Sequence, residues 1–199
     1  ADAGGGAMYN VRGAPALINV TLSGNRADSG GGLANIESSP ALSNVILWGN
    51  HATTGTAIVN DAATSTLAYS LVEGGWDGSG IANLNGGGVT DGGGNLDGDP
   101  LFVRNPTSSR DGDLRLQPAS PAIDAGDNGA LPPQIPLGPW ELPPDLPAPW
   151  LTYDLARRPR FVDLPTVPDS GAGTPPIVDI GAYETQRTYY LPLIYKDGP

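Results

Sequence analysis

The sequence predicts an all-β protein, a parallel β-helix with coils of about 25 residues. Three observations support this prediction: a repeat of fixed period, short apolar runs between turn residues, and few helix-forming residues. The chain has 199 residues, of which 29 are glycine and 21 are proline, with one methionine and one lysine. Glycine and proline at this frequency favour turns, so the composition disfavours a helical bundle or an α/β nucleotide-binding domain.

The repeat is visible when residues 5–25 are set above residues 30–50. Both apolar and turn positions agree at an offset of 25, and a weaker third copy continues the same register. The matched positions include Gly5 and Gly30, Asn10 and Asn35, Leu17 and Leu42, Asn19 and Asn44, Val20 and Val45, and Asn25 and Asn50, with Ile58, Asn60 and Leu67 in the third copy. Agreement at one spacing indicates a solenoid.

Each copy contains short apolar runs, such as residues 16–22 and 41–48, that glycine, asparagine and proline interrupt. This pattern is typical of strands joined by tight turns. Coiling places each strand about 4.8 Å from its equivalent in the next coil. We therefore expect Leu17, Leu42 and Leu67 to form one internal column. Asparagines at equivalent turns should form side-chain ladders; the ladder residues are Asn10, Asn35 and Asn60, Asn19 and Asn44, and Asn25 and Asn50.

Two sets of motifs resemble known bacterial proteins. Gly30-Gly-Gly-Leu-Ala-Asn35 and Leu22-Ser-Gly-Asn25 resemble the GGxx and FxxN motifs of polymorphic outer-membrane-protein repeats, with leucine in place of phenylalanine. Residues 99–103, 112–126 and 178–184 resemble the C-terminal part of right-handed parallel β-helix surface proteins of the choice-of-anchor Q type. The resemblance covers about residues 4–184.

This resemblance implies a bacterial protein that is extracellular or attached to the cell surface. Right-handed coiling follows from the resemblance and from the usual handedness of parallel crossovers. It implies no single activity, because β-helices serve as adhesins and as polysaccharide-cleaving enzymes alike.

The chain is predicted to have three parts: β-helix coils over residues 1–103, the end of the β-helix with a proline-rich strap over 104–184, and a tail strand over 185–199. Residues 86–98 are too polar for a core and are expected to form a loop before a last coil strand at 101–103. Sixteen of the 21 prolines lie between Pro106 and Pro176. We expect the densest stretch, residues 131–150, to be an ordered but irregular strap on the solenoid; a disordered linker is the alternative.

The two ends of the sequence suggest self-assembly. The repeat begins at Gly5 without a preceding cap, and residues 188–195 form an apolar, strand-prone tail. An open first coil or a donated tail strand could join copies end to end into filaments. Alternatively, the chain is a fragment of a longer β-helix, or the tail docks on its own domain. The predicted assembly residues are Gly5, Met8, Tyr189, Tyr190, Leu191, Leu193, Ile194 and Tyr195.

Charge and composition exclude several partners. The net charge of −11 disfavours nucleic acid, since phosphate binding needs a basic surface. No segment approaches the roughly 20 apolar residues of a membrane span. The chain has no cysteine and so neither a disulfide nor a thiolate metal site.

Calcium is the one cofactor that the sequence suggests. Pairs of aspartates with loop-like spacing offer hard oxygen ligands, although neither pair completes an EF-hand loop, and capping of backbone turns is the alternative. These candidates are Asp97, Asp99, Asp111 and Asp113. The same carboxylates could act as the acid pair of a glycosidase, or with Arg104, Arg110 or Arg115 in a lyase.

The predicted function is a non-enzymatic structural or adhesive β-solenoid whose partners are its own copies, other surface components or glycans. A carbohydrate-active enzyme is the alternative, without assigned catalytic residues. We expect Trp48 and Trp76 to pack in the core or at a turn; exposed sugar platforms are the alternative. His51 follows a turn and has no partner at a catalytic spacing.

Overall fold

The structure is a computed structural model that describes residues 4–107, 111–131 and 153–186. Within these ranges the chain forms thirteen strands and one short 3-10 helix, Asn128–Ala130. The strands are β1 (Met8–Val11), β2 (Ala16–Ile18), β3 (Thr21–Ser23), β4 (Leu33–Ile36), β5 (Ala41–Ser43), β6 (Ile46–Trp48), β7 (Ile58–Asp61), β8 (Thr64–Ala68), β9 (Leu71–Val72), β10 (Ile81–Leu84), β11 (Gly88–Asp91), β12 (Phe102–Arg104) and β13 (Asp113–Leu116).

The first eleven strands coil into a parallel β-solenoid of about three turns. Each of the first three coils contributes one strand to each of three parallel sheets, and a partial fourth coil adds β10 and β11 to the first two sheets. The sheets have the orders β1-β4-β7-β10, β2-β5-β8-β11 and β3-β6-β9. The structure confirms the predicted all-β fold with stacked parallel strands.

The 25-residue period appears directly as strand register. Leu17 pairs with Leu42, and Leu42 pairs with Leu67, in adjacent parallel strands. Their exposed fractions are 5%, 1% and 0%, so the three side chains form the predicted internal column. Leu33 and Ile58 are aligned in the same way in the first sheet and are also fully buried. Apolar side chains at one position of each repeat therefore build a continuous core.

Turn residues between the sheets explain why the strands have the same spacing in successive coils. Asn19 and Asn44 both have a positive φ, 54° and 55°, between the second and third strands of their coils. Gly24 and Gly49 have φ of 71° and 65° after the third strand. Asparagine and glycine adopt this left-handed conformation most readily, so they set the corners of the coil.

The fourth coil differs from the sequence-based expectation. Ile81 pairs with Ile58 and Gly88 pairs with Thr64, at steps of 23 and 24 residues in place of 25. The expectation that residues 86–98 form only a loop is therefore wrong, because Gly88–Asp91 is a sheet strand. Parallel pairing uses backbone groups, so a polar, half-exposed strand can still be added as the last strand of the sheet.

The chain leaves the solenoid after this coil. Leu96 makes one isolated parallel bridge with Leu71. Phe102–Arg104 then pairs antiparallel with Asp113–Leu116. The expected last coil strand at residues 101–103 is thus a hairpin strand instead.

The C-terminal segment packs on the third sheet of the solenoid. A second apolar cluster joins the two parts and is formed mainly by Ile46, Leu71, Phe102, Leu116, Ile123 and Ile180. The backbone N–H of Gly181 donates to the carbonyl of Asn44 over 2.9 Å. The N–H of Ala182 donates to Oγ1 of Thr21 over 3.0 Å. The described residues 120–131 and 153–186 therefore cover one face of the rod.

The predicted strap at residues 131–150 lies outside the described residues apart from residue 131, and the tail beyond residue 186 also lies outside them. No helix in the described part of the chain has the length and apolar character needed to cross a membrane.

Candidate functional site

The outer edge of the first coil is open. In the described residues, β1, β2 and β3 each pair with one neighbour only, the equivalent strand of the second coil. Tyr9 and Val11 on β1 are 47% and 50% exposed. An edge strand with unpaired backbone groups is a template for another strand.

The opposite end of the solenoid is open in the first two sheets. Among the strands that the structure describes, β10 pairs only with β7, and β11 pairs only with β8. Leu84 on β10 is 41% exposed. All of these pairings are parallel, so the edge at the last coil has the same strand direction as the edge at the first coil. The two ends are therefore complementary in direction.

An asparagine ladder connects the two open ends. The Nδ2 group of Asn10 donates to Oδ1 of Asn35 over 2.8 Å, and Asn35 donates in the same sense to Asn60 over 3.1 Å. Asn60 donates to Oδ1 of Asn83 over 3.0 Å. Asn83 is a rung that the sequence did not predict, because the last step is 23 residues.

The ladder has a direction. Every amide donates toward the C-terminal coil and accepts from the N-terminal side. Among the described residues, Oδ1 of Asn10 and Nδ2 of Asn83 therefore have no partner in the ladder. One end of the rod presents an acceptor and the other presents a donor.

The other predicted asparagine pairs behave differently from each other. Asn25 donates from its backbone N–H and its Nδ2 to Oδ1 of Asn50, both over 3.0 Å. Asn19 and Asn44 do not form a rung. Oδ1 of Asn44 accepts from the N–H of Asp127 over 2.7 Å and its Nδ2 donates to the carbonyl of Asp127 over 3.0 Å. The buried amide of Asn19 has no hydrogen-bond partner.

The two described residues among the predicted assembly positions lie at the open first coil. Gly5 and Met8 are half-buried, and Met8 packs against the apolar core under its strand. The other six, Tyr189, Tyr190, Leu191, Leu193, Ile194 and Tyr195, lie outside the described residues.

Three of the four predicted calcium ligands cap backbone groups. Asp97 accepts from the N–H of Gly74 over 3.0 Å, and Asp99 accepts from the N–H of Leu101 over 2.8 Å. Asp111 accepts from the N–H and the hydroxyl of Thr107.

The fourth, Asp113, forms an ion pair with Arg115 in which Nε donates to Oδ1 over 2.8 Å. This pairing lowers the pKa of Asp113 to about 2. The four aspartates do not form a group of three converging carboxylates in the described residues. Calcium at these positions stays a prediction.

The carbohydrate-active alternative has a partial geometric basis. Asp111, Asp113 and Arg104 line one open cleft together with Tyr183. Nη2 of Arg104 donates to the carbonyl of Gly112 over 3.2 Å. The carboxylates are engaged in the turn and the ion pair described above, so they serve the hairpin itself. Enzymatic activity stays a prediction.

The aromatic and imidazole candidates take structural places. Trp48 is half-buried against the second apolar cluster, and Trp76 is half-buried against the core of the solenoid. The backbone N–H of exposed His51 donates to the carbonyl of Asn25 over 2.9 Å. These contacts favour packing for the tryptophans and a turn position for the histidine.

A buried polar cluster in the C-terminal segment was missed by sequence reasoning. Its members are Asp154, Arg160, Asp179 and Glu184. The Arg160 guanidinium donates to the carbonyls of Tyr153, Gly181 and Ala182 over 3.1–3.2 Å. The only signal was the pair of acidic residues, Asp179 and Glu184, in the motif at 178–184, which the resemblance presented as a family pattern.

Electrostatics in this polar cluster are dominated by burial. Burial raises the pKa of Glu184 to about 10, and the nearby Asp179 adds to the rise. Burial also raises the pKa of Asp179 to about 6 and lowers the pKa of Arg160. Glu184 accepts from the N–H groups of Val162 and Asp179, over 3.3 and 3.1 Å. The cluster therefore ties three chain segments together.

The chain matches no protein-family model, no curated protein and no solved structure. The β-solenoid implied by the sequence resemblance is present, whereas the choice-of-anchor Q assignment stays a prediction.

Proposed function

We propose that this chain is a non-enzymatic building block of the bacterial exterior that joins its copies end to end through the first and last coils of the solenoid. The observation that carries this proposal is the directional asparagine ladder, which presents an acceptor on Asn10 and a donor on Asn83. Both open ends also carry parallel edge strands of the same direction.

Stacking the first coil of one copy on the last coil of another would continue two sheets. β10 would pair with β1 of the next copy, and β11 would pair with β2. The Nδ2 group of Asn83 would then donate to Oδ1 of Asn10 in the neighbour, as within the rod. Such a contact joins two different surfaces, so repetition without closure yields a filament.

A second copy is the occupant that fits these ends best. Its last coil supplies the strand direction and the unpaired amide group that the first coil requires. An additional coil of a longer β-helix would make similar contacts, and it would leave this chain monomeric in isolation. Attachment to other surface components or glycans would then use the sides of the filament.

Charge should make the assembly depend on salt. Copies with a net charge of −11 repel each other. At 0.1 M ionic strength, salt screens the repulsion between charges that are more than about 10 Å apart. Assembly should therefore be stronger at moderate ionic strength than at very low ionic strength.

The test compares wild type with Asn83→Asp in sedimentation velocity and electron microscopy. Aspartate keeps the acceptor for Nδ2 of Asn60 but removes the outward donor and places a carboxylate opposite Oδ1 of Asn10. We expect elongated oligomers for the wild type and monomers for Asn83→Asp. Asn105→Asp, an exposed change of equal charge outside the four edge strands β1, β2, β10 and β11, should assemble as the wild type does. A wild type that stays monomeric at every concentration and salt would contradict the proposal.

A further inference from the structure

Three carboxylates converge beside the second apolar cluster. One carboxylate oxygen from each of Asp124, Asp163 and Asp169 lies within 4.8 Å of the other two. No other group of three acidic, histidine or cysteine residues in the described ranges meets this distance. Asp124 is fully buried, Asp163 is half-buried and Asp169 is exposed, so the cluster opens to solvent on one side.

An independent observation on Asp124 points to a ligand. Its Oδ1 atom is buried and has no hydrogen-bond partner within the described ranges, and the exposed fraction of the residue is 0%. Oδ2 accepts a long hydrogen bond of 3.4 Å from the N–H of Leu164. A buried carboxylate oxygen without a partner is costly, and a positive ion is the simplest compensation.

The backbone holds the three ligand-bearing segments in place. The N–H groups of Ser170 and Gly171 donate to the carbonyl of Asp124 over 2.9 and 3.1 Å. The N–H of Asp124 donates to Oδ1 of Asp179 over 2.9 Å. Asp124 is thus fixed from both sides, and the segment after Asp169 is attached to it directly.

We propose that Asp124, Asp163 and Asp169 bind a divalent cation of the calcium class. Three carboxylates offer hard oxygen donors, and backbone carbonyls and water can complete the six to eight ligands that Ca²⁺ takes at irregular angles. Mg²⁺ requires near-octahedral geometry and fits an irregular loop site less well. Burial and the neighbouring carboxylates raise the pKa of Asp124 to about 7, and a bound dication would reverse this effect.

The cation would fasten two parts of the C-terminal segment to each other beside the third sheet, the part around Asp124 and the part that carries Asp163 and Asp169. Asp124 follows Ile123, which lies in the apolar cluster on the third sheet. Asp163 and Asp169 lie on the segment that covers it. This role is separate from end-to-end assembly and does not depend on it.

The test is calorimetric titration of the EDTA-treated full chain with CaCl₂, together with thermal unfolding. We expect one saturable site and a rise in Tm of several degrees at saturating Ca²⁺. Asp169→Asn should weaken the affinity by about tenfold or more. Asp77→Asn, a change at an exposed aspartate that belongs to neither set of proposed calcium ligands, should bind as the wild type does.

A second variant separates binding from folding. Asp124→Asn removes the buried charge, so in EDTA it should unfold at a Tm equal to or above that of the wild type, and CaCl₂ should no longer raise its Tm. Three outcomes would overturn the proposal: a wild type without saturable calcium binding, loss of affinity in Asp77→Asn but not in Asp169→Asn, or equal affinity for Mg²⁺.

Discussion

The side chains of Asn35 and Asn60 are joined by a 3.1 Å hydrogen bond from Nδ2 to Oδ1, and both residues are fully buried. They occupy the same position in consecutive coils. Asn60 also accepts from Oγ of Ser65 over 2.6 Å and donates to the carbonyl of Gly88 over 3.0 Å. The ladder is therefore a satisfied polar network inside the solenoid.

Asn60→Ala should lower the free energy of unfolding by about 1–3 kcal/mol, because it leaves buried polar partners without hydrogen bonds. Asn10→Ala should cost less, since Asn10 is half-buried at the open end and water can replace its contact. Urea unfolding at low protein concentration measures both. Equal losses for the two variants would contradict a ladder that is stabilised by burial.

Leu42→Ala should destabilise the protein by about 2–5 kcal/mol, because Leu42 lies between Leu17 and Leu67 in the core column. Leu17→Ala should fall toward the lower end of this range, since Leu17 has a stacked neighbour on one side only. Leu84→Ala, at an exposed site, should change stability by less than about 0.5 kcal/mol. Thermal unfolding of the three variants tests this order, and a larger loss for Leu84→Ala than for Leu42→Ala would refute it.

Asn44→Gly should weaken the attachment of the C-terminal segment to the solenoid relative to the wild type. It removes two hydrogen bonds to Asp127 and should cost about 1–3 kcal/mol. Asn19→Gly is the matched control, because it has the same positive φ but its amide has no partner. Limited proteolysis and urea unfolding should show a clear effect for Asn44→Gly and little for Asn19→Gly. Similar behaviour of the two variants would argue against this docking contact.

Stability should fall as the pH rises from about 5 to about 9. Burial raises the pKa of Glu184 to about 10 in the folded protein, above its value of about 4.3 in an unfolded chain. The folded state therefore holds this proton more tightly. The stability that Glu184 contributes is fully present below its pKa in the unfolded chain. This stability is lost as the pH rises through its pKa in the folded protein, at no more than about 1.4 kcal/mol per pH unit.

The control for this pH dependence is Glu184→Gln, which removes the titration and should flatten the profile. Three charged groups surround Glu184: Arg160, Asp179 and Asp154, the last of which accepts from its N–H over 3.1 Å. Burial raises the pKa of Asp179 to about 6. Its contribution to stability therefore also falls as the pH rises, but this fall is complete at a lower pH than that of Glu184. An unfolding free energy that rises with pH over this range, or an unchanged slope in Glu184→Gln, would contradict the assignment.

Periodicity made the solenoid predictable. Leu17, Leu42 and Leu67 recur at one spacing, so a local pattern reports a long-range contact, and the same holds for Asn10, Asn35 and Asn60. The last coil shortens to steps of 23 and 24 residues. A fixed offset of 25 could therefore not find Asn83 or the strand at Gly88–Asp91.

The C-terminal segment was not predictable in the same way. Asn44 and Asp127 are 83 residues apart, and no repeat relates the two positions. Asp124 appeared in the sequence as one acidic residue among many, and its partners Asp163 and Asp169 come close only after the chain folds back. Such contacts depend on tertiary packing, for which one sequence carries no periodic signal.

Cysteine cross-linking tests end-to-end joining most directly, because the chain has no cysteine of its own. Val11 and Leu84 lie in one column, through Ile36 and Asp61, at the two open ends. In a head-to-tail contact they would be about 4.8 Å apart, within the Cα range of a disulfide. Mixing Val11→Cys with Leu84→Cys under mild oxidation should yield a mixed disulfide. The double variant should form a series of disulfide-linked multimers of increasing size. Disulfides only between identical variants, or none at all, would contradict head-to-tail assembly.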